Sequence, residues 1–146
     1  MIGKWKGSYR YNSKRVKEIL GVDKTNFAIS IDTFENNHFK GSVEDDLTMK
    51  GTPGIGEIEG TISGEKLSFV KRMPIKAVIA LNNDTKTYGM HTNPEKKHKP
   101  IYYEGTFSHD KKSAEGVWKM KMGFSIFGNF ITLLTQNGTW NMLRDE

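Results

Sequence analysis

Two adjacent carboxylates, Asp45 and Asp46, are the residues of this chain best suited to chemistry by type. Such a pair can coordinate a cation or divide general acid and general base work. Nothing else in the sequence converges on them, and carboxylates at the end of a strand are as a rule solvated. The expectation is therefore two surface residues. The four histidines, His38, His91, His98 and His109, form no His-x-His or His-x-x-x-His pair and fall in or beside loops, so neither a metal site nor a cofactor is expected. Cysteine is absent, which excludes disulfides, thiolate nucleophiles and zinc ribbons. There is no Gly-x-Ser-x-Gly elbow. Gly51-Thr52-Pro53-Gly54-Ile55-Gly56 lacks the lysine and the strand-to-helix context of a phosphate loop and reads as a hairpin turn.

A second set of polar residues is more informative. Tyr9, Tyr11, Lys71, Tyr103 and Arg144 each share a two-residue phase with large apolar neighbours, as in Leu67-x-Phe69-x-Lys71 and Trp140-x-Met142-x-Arg144. Charged groups are seldom buried without a partner. On the inner face of a closed sheet they would hold the polar end of an amphipathic, even anionic, ligand. Phe27, Ile29, Phe39, Phe69, Phe107, Trp118 and Trp140 would surround its apolar body. The plainer alternative places Lys71 at a rim, snorkelling to water, and stacks Arg144 on Trp5, with the tyrosines as ordinary core residues.

These residues are positioned by strands. Trp5, Gly7, Tyr9 and Tyr11 alternate with Lys4, Lys6, Ser8 and Arg10, and the same period of two recurs at 27–32, 39–44, 57–62, 102–107 and 115–120. Glu35-Asn36-Asn37, Ser63-Gly64-Glu65 and His109–Lys112 read as short hairpin connections and Gly51–Gly54 as a longer turn, which favours an antiparallel meander. One segment has helical spacing: Ser13 as cap, Val16, Ile19 and Leu20 as a stripe, Gly21 as the stop. Residues 82–100, rich in Asn, Thr, Lys and Pro, read as a long loop. In 123–136, Phe124, Ile126, Phe130 and Leu134 share one face while Phe127, Ile131 and Leu133 lie on the other, so this segment is covered on both sides or lines an opening, with Gly128 as a bend.

Five candidate strands carry a glycine on their apolar face: Gly7, Gly41, Gly60, Gly105 and Gly116. Repeated inward glycines mark sharp coiling, where a sheet closes on itself and an aromatic ring from the next strand lies over bare backbone. A closed antiparallel barrel also removes exposed edges. Gly3-Lys4-Trp5 resembles the Gly-x-Trp opening of the calycin superfamily (lipocalins, fatty-acid-binding proteins and avidins), and "FKGSV", "IEGTI" and "YEGTF" are similar to the glycine-bearing strands of avidin-type barrels. The resemblance implies that Arg144, in the last strand, packs across Trp5. It does not extend to the polar residues that hold biotin in avidins, nor to the helix pair of fatty-acid-binding proteins.

The length suits one domain over 1–146: an all-β, single antiparallel up-and-down barrel of about eight to ten strands, calycin-like, with at most one short helix. No apolar run reaches membrane-spanning length and no leader precedes the first strand, so a cytoplasmic location is expected. The net charge of +5 and a pI near 9.3 reflect lysines spread over exposed faces, the densest run being Lys96-Lys97-His98-Lys99. The functional expectation is non-catalytic binding of a small hydrophobic or amphipathic molecule, with Tyr9, Tyr11, Phe39, Phe69, Lys71, Tyr103, Phe107, Trp118 and Arg144 as its ligand-binding residues. The alternatives are a protein-interaction module with a filled barrel, associating through the apolar 123–134 segment or the basic 96–99 loop, and an enzyme using the cavity tyrosines with Asp45 and Asp46. Nucleic acid is not an expected partner, because the aromatics point inward and are not interleaved with basic residues.

Overall fold

Alternation of bulky and polar side chains builds strands long enough to wrap into a closed wall. The computed structural model describes residues 1–82, 84–121, 126–127, 130–132 and 135–146. Its elements are β1 (Gly3–Tyr11), α1 (Lys14–Leu20), β2 (Thr25–Glu35), β3 (His38–Asp45), a 3-10 turn (Leu47–Met49), β4 (Ile55–Ser63), β5 (Lys66–Arg72), β6 (Lys76–Asn82), β7 (Thr87–Asn93), β8 (Ile101–Phe107), β9 (Ser113–Lys121), β10 (Ile126–Phe127), β11 (Phe130–Thr132) and β12 (Thr135–Arg144). Eight of the strands close an antiparallel barrel in the order β1-β12-β9-β8-β5-β4-β3-β2. The seam pairs first strand with last, Trp5 opposite Arg144 and Tyr11 opposite Gly138.

The expected inward phases hold in every barrel strand: Trp5, Tyr9, Phe27, Ile29, Phe39, Ile58, Phe69, Tyr103, Phe107, Trp118 and Trp140 are buried, while Tyr102 and Val117 are exposed. Coiling depends on the bare glycines. A Cβ on Gly41 or Gly60 would collide with the carbonyl oxygen of the neighbouring strand, and one on Gly105 would lie 2.6 Å from Trp140 Cζ2. The indole of Trp140 thereby crosses the wall and donates to the Glu104 and Val117 carbonyls, both at 3.1 Å. Trp118 does the same over Gly138 and donates to the Arg10 carbonyl at 3.0 Å. At Asn36 and Asn37, both with positive φ (52° and 65°), the β2–β3 hairpin makes the tight turn that asparagine tolerates.

The helix forms where its spacing places it: the Ser13 side chain accepts from the Val16 N–H, and Gly21 ends it at φ 73°. The reading of 82–100 as a long loop is corrected. Thr87–Asn93 is strand β7, paired with β6 (Ala80 opposite Gly89) in a second, four-stranded sheet ordered β10-β11-β6-β7. Its weak alternation fits an edge strand with few buried residues. Of the apolar stretch 123–136, Phe124, Gly128, Leu133 and Leu134 lie outside the described residues, and β10 and β11 belong to this second sheet.

The second sheet is a lid. Residues along β6 alternate in allegiance: Val78 and Ala80 belong to the buried cluster of the barrel interior, whereas Ile79 belongs to a separate cluster with Val16 and Leu20 of α1. The lid strand is thus packed between the barrel and the helix. It covers the end where β1, β3, β5 and β9 finish.

Candidate functional site

The lidded end holds a charge pair. β3 continues its inward series Phe39, Gly41, Val43 by one more step to Asp45, and β5 continues Leu67, Phe69 to Lys71. The two side chains meet: Lys71 Nζ donates to Asp45 Oδ1 at 2.5 Å, with side-chain exposures of 3% and 0%. The other carboxylate oxygen, Oδ2, accepts from the Tyr9 hydroxyl at 3.0 Å and from the Thr52 N–H at 3.1 Å. The Lys71 ammonium also lies over two ring faces, 4.8 Å from the Tyr9 centroid and 5.9 Å from that of Phe27. A buried ion pair repays its desolvation only with additional support; here Asp45 has two further hydrogen bonds and Lys71 has the two ring faces. Among the described residues, no buried side-chain nitrogen or oxygen is left without a partner.

Asp45 corrects the expectation of a solvated carboxylate pair. Successive residues of a strand point to opposite faces, so Asp45 goes inward and Asp46 outward. Asp46 caps the 3-10 turn, its Oδ1 accepting from the Thr48 N–H at 2.9 Å and the Thr48 hydroxyl at 2.6 Å. The turn brings Thr52 back over the barrel. Gly51 permits this approach, since a Cβ there would lie 2.5 Å from Asp45 Cβ. The two carboxylates therefore face different surroundings and cannot share a proton between them.

Around the pair, Tyr103 and Trp118 are buried and Tyr11 is partly buried. Trp118 packs edge-on against Tyr11 (5.1 Å between centroids) and Tyr9 (6.0 Å). Burial, and next the Asp45 charge, push the Tyr9, Tyr11 and Tyr103 hydroxyls above the usual tyrosine range, so all three stay protonated. His98 departs from its exposed neighbours in the basic run 96–99. It is buried, its N–H donates to the Met73 carbonyl, and its Nδ1 lies 2.7 Å from the Lys99 carbonyl. Burial lowers its pKa; Lys71 pushes the same way and Asp45 the opposite way. Gln136 and Met73 complete the buried set at this end.

No family model, curated protein or solved structure matches the chain.

The remaining residues named from sequence lie elsewhere. Phe69 stacks on Tyr103 in the middle of the barrel (4.6 Å, 10°) and meets Phe39 and Trp140 edge-on. Phe107 lies nearer the opposite end, against Trp5 (5.9 Å). Arg144 is exposed at the opposite end, its guanidinium 5.6 Å from the Trp5 ring centroid and donating to the Ile2 carbonyl at 2.8 Å, the place the plainer alternative gave it. A pocket of about 350 Å³ at that end is lined by Met1, Trp5, Phe34, Ile62 and Phe107, with exposed Lys111 as its one charged side chain. The structure therefore unites Tyr9, Tyr11, Lys71, Tyr103 and Trp118, and separates Phe107 and Arg144 from them. The participants missed from sequence are Asp45, the Thr52 N–H, His98 and Gln136. Asp45 carried a usable signal, its parity with Phe39 and Val43.

Among the described residues no cluster of three or more acidic or histidine side chains could hold a metal ion, and no helix is long and apolar enough to cross a membrane.

Proposed function

We propose that the chain binds a small amphipathic molecule at the lidded end of the barrel, as calycin-type barrels do. The polar end of the ligand would rest on Lys71, Asp45 and Tyr9, and its body against Trp118, Tyr103 and the lid. The observation that carries this reading is the buried Lys71–Asp45–Tyr9 cluster beneath a separate sheet. A few convergent polar groups in an apolar surround are the usual composition of a ligand site. Arg144 over Trp5 supports the calycin-like reading of the barrel.

Native mass spectrometry of the purified protein tests the proposal. A co-purifying small molecule, reduced in Lys71→Met and in Tyr103→Phe, is the expected result. Unchanged occupancy in both variants would move the site elsewhere.

A second reading has an observation of its own. The rings of Phe39, Phe69, Tyr103 and Trp140 interlock across the middle of the barrel, as in a filled scaffold that acts through its outer surface. Concentration-dependent association abolished by Phe127→Asp, with no ligand found, would favour it.

A further inference from the structure

The charge balance of the lidded end selects the kind of head group it accepts, an inference that rests on the binding reading above. The described buried polar residues are Ser8, Thr25, Asp45, Thr52, Lys71, His98 and Gln136, and only Asp45 and Lys71 among them carry full charges that must be matched. Those two already neutralise one another at 2.5 Å. Burial keeps His98 neutral and the tyrosines protonated. A ligand carboxylate placed here would add a second anion beside Asp45, and a ligand ammonium would add a second cation beside Lys71. Either leaves one buried charge without a partner, the arrangement proteins tolerate least. A neutral head adds no charge. Its oxygen can accept from the Lys71 ammonium, which has three N–H donors, and from tyrosine hydroxyls, which can also donate.

We infer that the ligand is electrically neutral at its polar end, an amide or alcohol on an apolar body, because the balanced Lys71–Asp45 pair leaves no unmatched charge for an acid or an amine. The expectation of an anionic ligand, drawn from Lys71 and Arg144 with the tyrosines, is thereby replaced: Asp45 cancels the charge of Lys71, and Arg144 lies at the other end of the barrel.

The test uses one chain length in three charge states, octanoate, octanamide and octylamine, titrated calorimetrically into the full chain at pH 7. Wild type is expected to bind octanamide at least tenfold more tightly than the other two. Asp45→Asn, which leaves Lys71 uncompensated, is expected to shift preference to octanoate by more than tenfold. Lys71→Met is expected to shift it as far toward octylamine. The Asp45→Asn/Lys71→Met double variant, with neither charge, is expected to keep the preference for octanamide. Should either single variant fail to fold, the wild-type ranking decides. Octanoate or octylamine binding wild type most tightly, or all three binding equally, overturns the charge inference while leaving the site in place. Absence of binding by all three to wild type overturns the site itself.

Discussion

Lys71 and Arg144 reach the two ends of the same barrel by the same rule, each extending an inward apolar series past its last hydrophobic residue, yet they end in opposite circumstances. β12 stops at Arg144, and its guanidinium lies out in solvent over Trp5. Beyond β5 the chain turns into the lid, so Lys71 is sealed from water and has a carboxylate at 2.5 Å. Alternation tells which side of a strand a residue occupies. Whether water follows it there depends on what the chain builds over that end.

The sharpest way to break the contrast is to remove one partner at each end. Lys71→Met should destabilise the protein by about 3–5 kcal/mol, because it strands a buried carboxylate. Adding Asp45→Asn should restore much of that loss, as read by urea unfolding. A single-variant loss no larger than that of Arg144→Ala would mean the pair is hydrated. The wall between the ends gives a next-smaller effect: Gly116→Ala should cost about 1–3 kcal/mol through overpacking, since its Cβ would meet the Glu104 carbonyl oxygen and lie 2.5 Å from Gly105 Cα.

Alkaline pH probes the lidded end selectively. Tyr9 and Tyr103 have their pKa raised by burial first and Asp45 second, so the folded state holds protons that the unfolded chain releases above about pH 10. Stability is then fully present below pH 10 and falls above it, by up to about 1.4 kcal/mol per pH unit for each retained proton. Urea midpoints at pH 8 and 10.5 should show the fall, and Tyr103→Phe should flatten it. Arg144→Ala should be mildest, about 0.5–1 kcal/mol as expected of an exposed cation–π contact, measurable as a small decrease in urea midpoint.

Most of the barrel was legible in the sequence. Inward phase, the hairpins at Asn36-Asn37 and Gly64, the cap at Ser13 and the coiling glycines are each written in neighbours two to four residues apart. The lid was not, because β7 has little to bury and its Thr and Asn content matches a loop as well as an edge strand. Half of the buried polar cluster was legible. The inward parity of Lys71, Tyr9 and Tyr103 is readable in the sequence, and all three are buried. A carboxylate at a strand end reads as solvated, although Asp45 visibly shares its parity with Val43. His98 was missed for a different reason: its burial depends on a non-local contact with Met73, which no spacing in its own loop encodes.

The seam between β1 and β12 has a consequence in time. Every other barrel joint links strands nearer in sequence, so on contact-order grounds we expect this pairing to form late and to limit the folding rate. Until it zips, both strands are open edges available to a second chain. Trp118 spans the joint from β9, its indole bonded to Arg10 across 108 residues. Stopped-flow refolding of a variant in which Trp118 is the sole tryptophan should therefore show its emission settling after the backbone signal. Simultaneous phases would mean that the ring closes as it collapses.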